Sequence, residues 1–207
     1  MTQPAPAPSA PTFPQPDEQA TAAAVRAALK QFRVWAADPR ALVVDTETTS
    51  LDGQAWSFAG GRPGAPDVLL EITGEPETPW SEKALAMQPE GLRERLCGLP
   101  HPRTHCDAVA ELLAQNTVLA YNESFDRPVI ERTFDLADLP AFGCVALAYA
   151  PLAGQWSGSR GYWKTVTLDA ACRAEGIDPT QAQAHTASGD VWLTGQLILA
   201  VARRAQP

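Results

Sequence analysis

Two acids, Asp45 and Glu47, stand two residues apart at the end of the run LVVDTETTS. The β-branched apolar residues ahead of them predict a buried strand, and side chains two apart on a strand project to one face. Carboxylates held that close repel each other, and one resists ionising unless a cation neutralises the pair. A hard divalent ion, shared between carboxylates and substrate phosphate, meets that need. Two acids capping a strand at a solvent edge account for the same residues, so D-x-E alone leaves both readings open.

Further acids follow in order. In YNESFD, Asn122 ends a short apolar run and Asp126 opens a helix; in HTASGD, His185 precedes the last helix and Asp190 lies in its first turns. Taken singly, each also reads as a helix-capping acid or a structural histidine. Taken together they give acid-x-acid, then Asp, then His and Asp.

In that order the segments resemble the DnaQ-like (DEDDh) 3′-to-5′ exonuclease family. VVDTETT is similar to its first motif, LLEI to its second strand, YNESFD to its second motif and HTASGD to its third. TLDAACRAEGID resembles the stretch before the third motif in the proofreading (epsilon) subunit of bacterial DNA polymerase III. Ser50 stands where the family usually has Gly, Gly189 where it has a bulkier residue, and the stretches 56–66 and 151–165 look longer than their counterparts.

The resemblance spans about residues 41–201. It implies an α/β, ribonuclease H-like exonuclease fold with a central mixed sheet flanked by helices. Asp45, Glu47, Asp126 and Asp190 would hold two divalent ions, Mg²⁺ or Mn²⁺, on the attacking and leaving oxygens of an in-line displacement at phosphorus. His185 would be the general base. Thr46, Asn122 and Phe125 would meet the substrate. The implied reaction releases nucleoside 5′-monophosphates from nucleic acid with a free 3′ end, DNA favoured and single-stranded or frayed ends favoured, in replication or repair. An RNA-directed 3′ exoribonuclease of the same fold and a catalytically inactive exonuclease-like interaction module are the alternatives.

The elements that must position these residues are partly visible. Residues 1–18, rich in Pro and Ala, read as a disordered tail, and 19–207 as one exonuclease domain. Val25, Leu29, Phe32 and Trp35 recur at helical spacing within 19–37, and Asp38-Pro39 stops them before a catalytic core over 41–203. ALVVDTE is a strand, Asp52-Gly53 a turn, the Gly-rich stretch 56–66 undecided and DVLLEIT a further strand. Sequence to about residue 103 reads mostly as loop. A helix over 104–115, the strand TVLAYN and a helix over 125–134 with Pro128 in its first turn come next. FGCVALAYA fits strand or helix. Thr167 and Gly176 bracket a helix, and the last helix covers 186–203. Strands alternating with helices indicate a layered α/β domain.

Composition narrows the class. A net charge of −8 argues against coating nucleic acid by bulk electrostatics, not against gripping a few nucleotides through metal ions. No apolar run is long enough to span a bilayer and no secretory signal opens the chain, so a cytoplasmic location is expected, with no membrane partner. The chain ends soon after its last helix, which favours a stand-alone enzyme over a polymerase-docked subunit, and no motif names a polymerase or repair partner. Cys97, His101, His105 and Cys106 in CGLPHPRTHC offer a rival zinc site. Trp156, Arg160, Tyr162, Trp163 and Lys164 could stack bases and contact phosphates of a single strand, or tuck onto the core.

Overall fold

The computed structural model describes residues 12–182 and 186–205. Helix α1 (Glu18–Ala37) precedes strands β1 (Ala41–Thr48), β2 (Ala55–Gly61) and β3 (Val68–Thr73). Two short helices, α2 (Glu82–Ala86) and α3 (Leu92–Leu96), lead to α4 (Cys106–Ala114), β4 (Thr117–Ala120) and α5 (Glu123–Phe134). There follow β5 (Gly143–Cys144), α6 (Val145–Ala153), the hairpin strands β6 (Trp156–Ser157) and β7 (Tyr162–Trp163), α7 (Leu168–Ala174) and α8 (Ala187–Ala202). None of these helices is long and apolar enough to cross a membrane.

The main sheet runs β3-β2-β1-β4-β5, with β1 antiparallel to β2 and parallel to β4. Strand β1 takes the centre because Ala41 to Val44 can be buried on both faces, and all four are. Ala41 and Val43 pack with Leu29, Phe32 and Trp35 of α1 and with Leu197 and Ile198 of α8. Leu42 and Val44 pack on the other side with Val109, Leu113, Ile130 and Phe134 of α4 and α5. Alternation carries this division along the strand: Asp45 and Glu47 continue the α8 face, and Thr46 the α5 face. A register shift between Glu47 and Thr48 ends the regular pairing with β2.

Several elements differ from the sequence expectation. The undecided Gly-rich stretch is β2, buried along its whole length; a strand covered on both faces shows no alternation. The expected loop before residue 103 contains α2, capped by the Ser81 hydroxyl on the Ala84 N–H, and α3. Leu92 and Leu96 of α3 close with Trp80 over Trp56 in a satellite core. Helix α5 starts at Glu123, so Pro128 lies inside it and not in its first turn. FGCVALAYA divides into β5 and α6, and the aromatic loop is the β6–β7 hairpin, with Trp156 and Trp163 edge to face at 5.2 Å. Of the expected disordered tail, residues 1–11 lie outside the described residues, whereas Phe13 donates its N–H to the Gly158 carbonyl at 2.6 Å and accepts from Trp156 Nε1 at 3.4 Å.

Candidate functional site

Strand β1 and helix α8 bring three acids together. Thr186 caps α8, its hydroxyl accepting the Gly189 N–H at 3.1 Å, which sets Asp190 in the first turn, where the helix dipole favours a negative charge. Asp45, Glu47 and Asp190 each place one carboxylate oxygen so that all lie within 4.8 Å of one another. Burial pushes the Asp45 carboxyl well above the usual carboxylate range, and the charges of Asp126, Asp190 and Glu47 push it further.

Asp126 arrives from α5, on the opposite face of β1, and stands outside that cluster. Its Oδ1 accepts both the N–H of Thr46 at 3.1 Å and the Thr46 hydroxyl at 2.8 Å. The residue is 2% exposed. Burial raises its pKa, the two Thr46 hydrogen bonds oppose the rise, and the charges of Asp190 and Glu47 add to it, leaving the carboxyl at about 7. An all-carboxylate donor set suits a hard divalent ion such as Mg²⁺ or Mn²⁺ better than zinc. The repulsion that adds to burial in raising Asp45 and Asp126 is what such an ion relieves.

Beside the acids lies a cleft of about 330 Å³ lined by Thr46, Glu47, Leu51, Lys83, Met87 and Phe125 among others. The turn between β1 and β2 shapes one rim. Arg132 of α5 donates to the carbonyls of Gly53 at 3.0 Å and Leu51 at 3.5 Å, and a Cβ on Gly53 would collide with the Thr49 hydroxyl. The other rim is α2, tied to the end of β1 by the Ser81 N–H on the Thr49 carbonyl at 2.9 Å.

Of the residues singled out from sequence, Asp45, Glu47 and Asp190 converge and Asp126 adjoins them. Phe125 lines the cleft. Thr46 lines it too, although its hydroxyl and N–H are spent on Asp126 and not held out to a ligand. Asn122 is exposed at the start of α5 and accepts from Ser124 Oγ at 3.0 Å. His185 lies outside the described residues. The rival zinc ligands do not assemble: His101 uses Nδ1 on the Arg103 N–H at 3.0 Å and pairs Nε2 with Gln54 Oε1 at 3.2 Å. Among the described residues the only group placed to hold a metal is Asp45, Glu47 and Asp190. Sequence reading passed over Lys83, Met87 and Gln88; Ser81 ahead of EKALA was the available helix signal.

No family model matches the chain, and no curated protein sequence matches it. Among solved structures it is similar to Exonuclease X in complex with 5′ overhanging duplex DNA, at a TM-score of 0.57 and 19% identity, covering 78% of this chain and 90% of that one. The fold is the ribonuclease H-like exonuclease fold, a five-stranded mixed sheet between helices.

Proposed function

We propose that this chain is a divalent-metal-dependent 3′-to-5′ exonuclease, hydrolysing the terminal phosphodiester of a nucleic acid, DNA in preference to RNA, to a nucleoside 5′-monophosphate. The observation that carries the reading is the convergence of Asp45, Glu47 and Asp190 within 4.8 Å, with Asp126 adjoining, in a fold shared with Exonuclease X. Two Mg²⁺ or Mn²⁺ ions held by these carboxylates would stabilise the attacking and leaving oxygens of an in-line displacement.

The chain's own groups divide the remaining work. Asp45, Glu47 and Asp190 bind the ions, and Thr46 fixes the carboxylate of Asp126 beside them. Phe125 and Met87 offer the terminal nucleotide apolar surface across the cleft, while Lys83 supplies positive charge for its phosphate. His185 accepts the proton of the attacking water at an imidazole nitrogen.

The test compares 3′-labelled and 5′-labelled DNA and RNA, single-stranded, blunt and with a 5′ overhang, in Mg²⁺, Mn²⁺ and chelator. Stepwise shortening from the 3′ end that stops in chelator is the expected result. Activity that survives chelation, or cleavage starting internally, rules the reading out.

A further inference from the structure

Glu47 has a partner that none of the acidic motifs contains. Gln88, just beyond α2, donates from Nε2 to Glu47 Oε2 at 3.4 Å. The other end of the same amide, Oε1, is buried and has no hydrogen-bond partner among the described residues. With the amide nitrogen donating to Glu47, the carbonyl oxygen faces away from it. Turning the amide over would set two oxygens against each other. The orientation that leaves Oε1 unsatisfied is therefore held by Glu47, since a buried acceptor without a donor is unfavourable in itself.

The backbone around Gln88 is held by hydrogen bonds. Its N–H donates to the Leu85 carbonyl at 3.1 Å, continuing the α2 turn. The Ser81 N–H bonds the Thr49 carbonyl, and the Thr49 and Thr78 hydroxyls pair at 2.8 Å. Thr78 Oγ1 also accepts the Gln54 N–H at 2.9 Å. The segment leading into α2 is thus fastened to both sides of the turn that follows β1, two residues past Glu47, and Gln88 comes back over that acid from outside the motifs.

We infer that Gln88 is a positioning residue for the metal site, fixing the rotation of the Glu47 carboxylate before an ion arrives. The inference rests on the reading of Asp45, Glu47 and Asp190 as metal ligands. Partners of ligating carboxylates typically change metal affinity or activity by about 10- to 100-fold when removed. Gln88→Leu keeps the side chain's bulk, loses the N–H and removes the unsatisfied oxygen.

Mn²⁺ binding to the full chain, measured by titration calorimetry without nucleic acid, is the test, paired with unfolding midpoints in chelator. Gln88→Leu is expected to weaken Mn²⁺ by at least about tenfold while its midpoint stays level or rises. Gln88→Asn, one methylene shorter, is expected to weaken Mn²⁺ similarly. Unchanged affinity in either variant, or a midpoint in Gln88→Leu that falls along with affinity, overturns the inference. Wild-type protein that binds no Mn²⁺ instead refutes the metal-site reading itself.

Discussion

Raising the pH from about 5 to about 8 in chelator should destabilise the metal-free protein, the reverse of ordinary acid denaturation. The cause is Asp126, whose folded-state pKa stands at about 7 against an ordinary 3.8. A carboxyl raised by folding contributes stability that is complete below about 3.8, is lost progressively as the pH climbs from there, and is gone above about 7. At roughly 1.4 kcal/mol per pKa unit, that difference is worth on the order of 4 kcal/mol. Asp126 is 2% exposed, so solvent does little to screen it. Asp45, raised by burial and by the same neighbours, acts in the same direction. Only the part between about pH 5 and the folded value of about 7 falls in the window, roughly 3 kcal/mol, so in a chain of this size, at about 2–4 °C per kcal/mol, the unfolding midpoint drops by roughly 8 °C. Asp38 and Asp178, held low by hydrogen bonds, contribute stability that is lost only below this window. Circular dichroism melts across the window supply the assay. Asp126→Asn, which can still accept from Thr46, should flatten the profile, and saturating Mn²⁺ should lift the wild-type midpoint at the alkaline end. A wild-type midpoint in chelator that is level or rising, with Asp126→Asn indistinguishable from it, refutes the electrostatic account.

Asp45→Asn and Asp190→Asn should each lower metal-dependent hydrolysis more than about a hundredfold, yet melt no lower than wild type in chelator because each removes one of several mutually repelling charges. Thr46→Val deletes the 2.8 Å hydroxyl contact to Asp126 and keeps the backbone one; hydrogen bonds to charged groups contribute roughly 1.5–3 kcal/mol, so turnover at saturating metal should fall about tenfold or more. His185→Ala should slow turnover by about 10²- to 10⁴-fold with calorimetric Mn²⁺ affinity retained; parallel loss of both would make it a ligand. Trp163→Ala should lower the midpoint through its edge-to-face contact with Trp156, worth about 0.5–1.5 kcal/mol beyond burial, and leave single-strand affinity in place; lost affinity at an unchanged midpoint would favour the base-stacking reading instead.

What was legible in the sequence followed from local periodicity. ALVV announced a buried strand, D-x-E put two acids on one face, and Thr167, Gly176 and Thr186 marked helix ends that the structure reproduces at α7 and α8. What was missed depends on partners distant in sequence. AWSFAGG shows no alternation because both its faces are covered. EKALA and LRERL are too short to declare helices alone; LRERL acquires its place from Trp56 and Trp80, and EKALA from the Ser81 N–H on the Thr49 carbonyl. Gln88 reads as a linker residue until α2 is seen folded back over Glu47.

The same distinction explains the role of Thr46. Between two acids on a strand, the intervening side chain must point to the other face, and a sequence reader naturally offers its hydroxyl to substrate. That reading ignores what occupies the other face. Helix α5 packs there through Ile130 and Phe134 against Leu42 and Val44, and its first turns carry Asp126 to the end of β1, where Thr46 meets it with two donors on one oxygen. The D-T-E triplet therefore serves both faces at once, its acids facing α8 and Asp190 and its threonine holding the carboxylate that comes from α5. A change at Thr46 that spares Asp45 and Glu47 should for this reason alter the site through Asp126, which is why the Thr46→Val rate and the Asp126-dependent pH profile must shift together, with the wild-type loss of stability moving to higher pH when the hydroxyl that lowers the Asp126 pKa is gone.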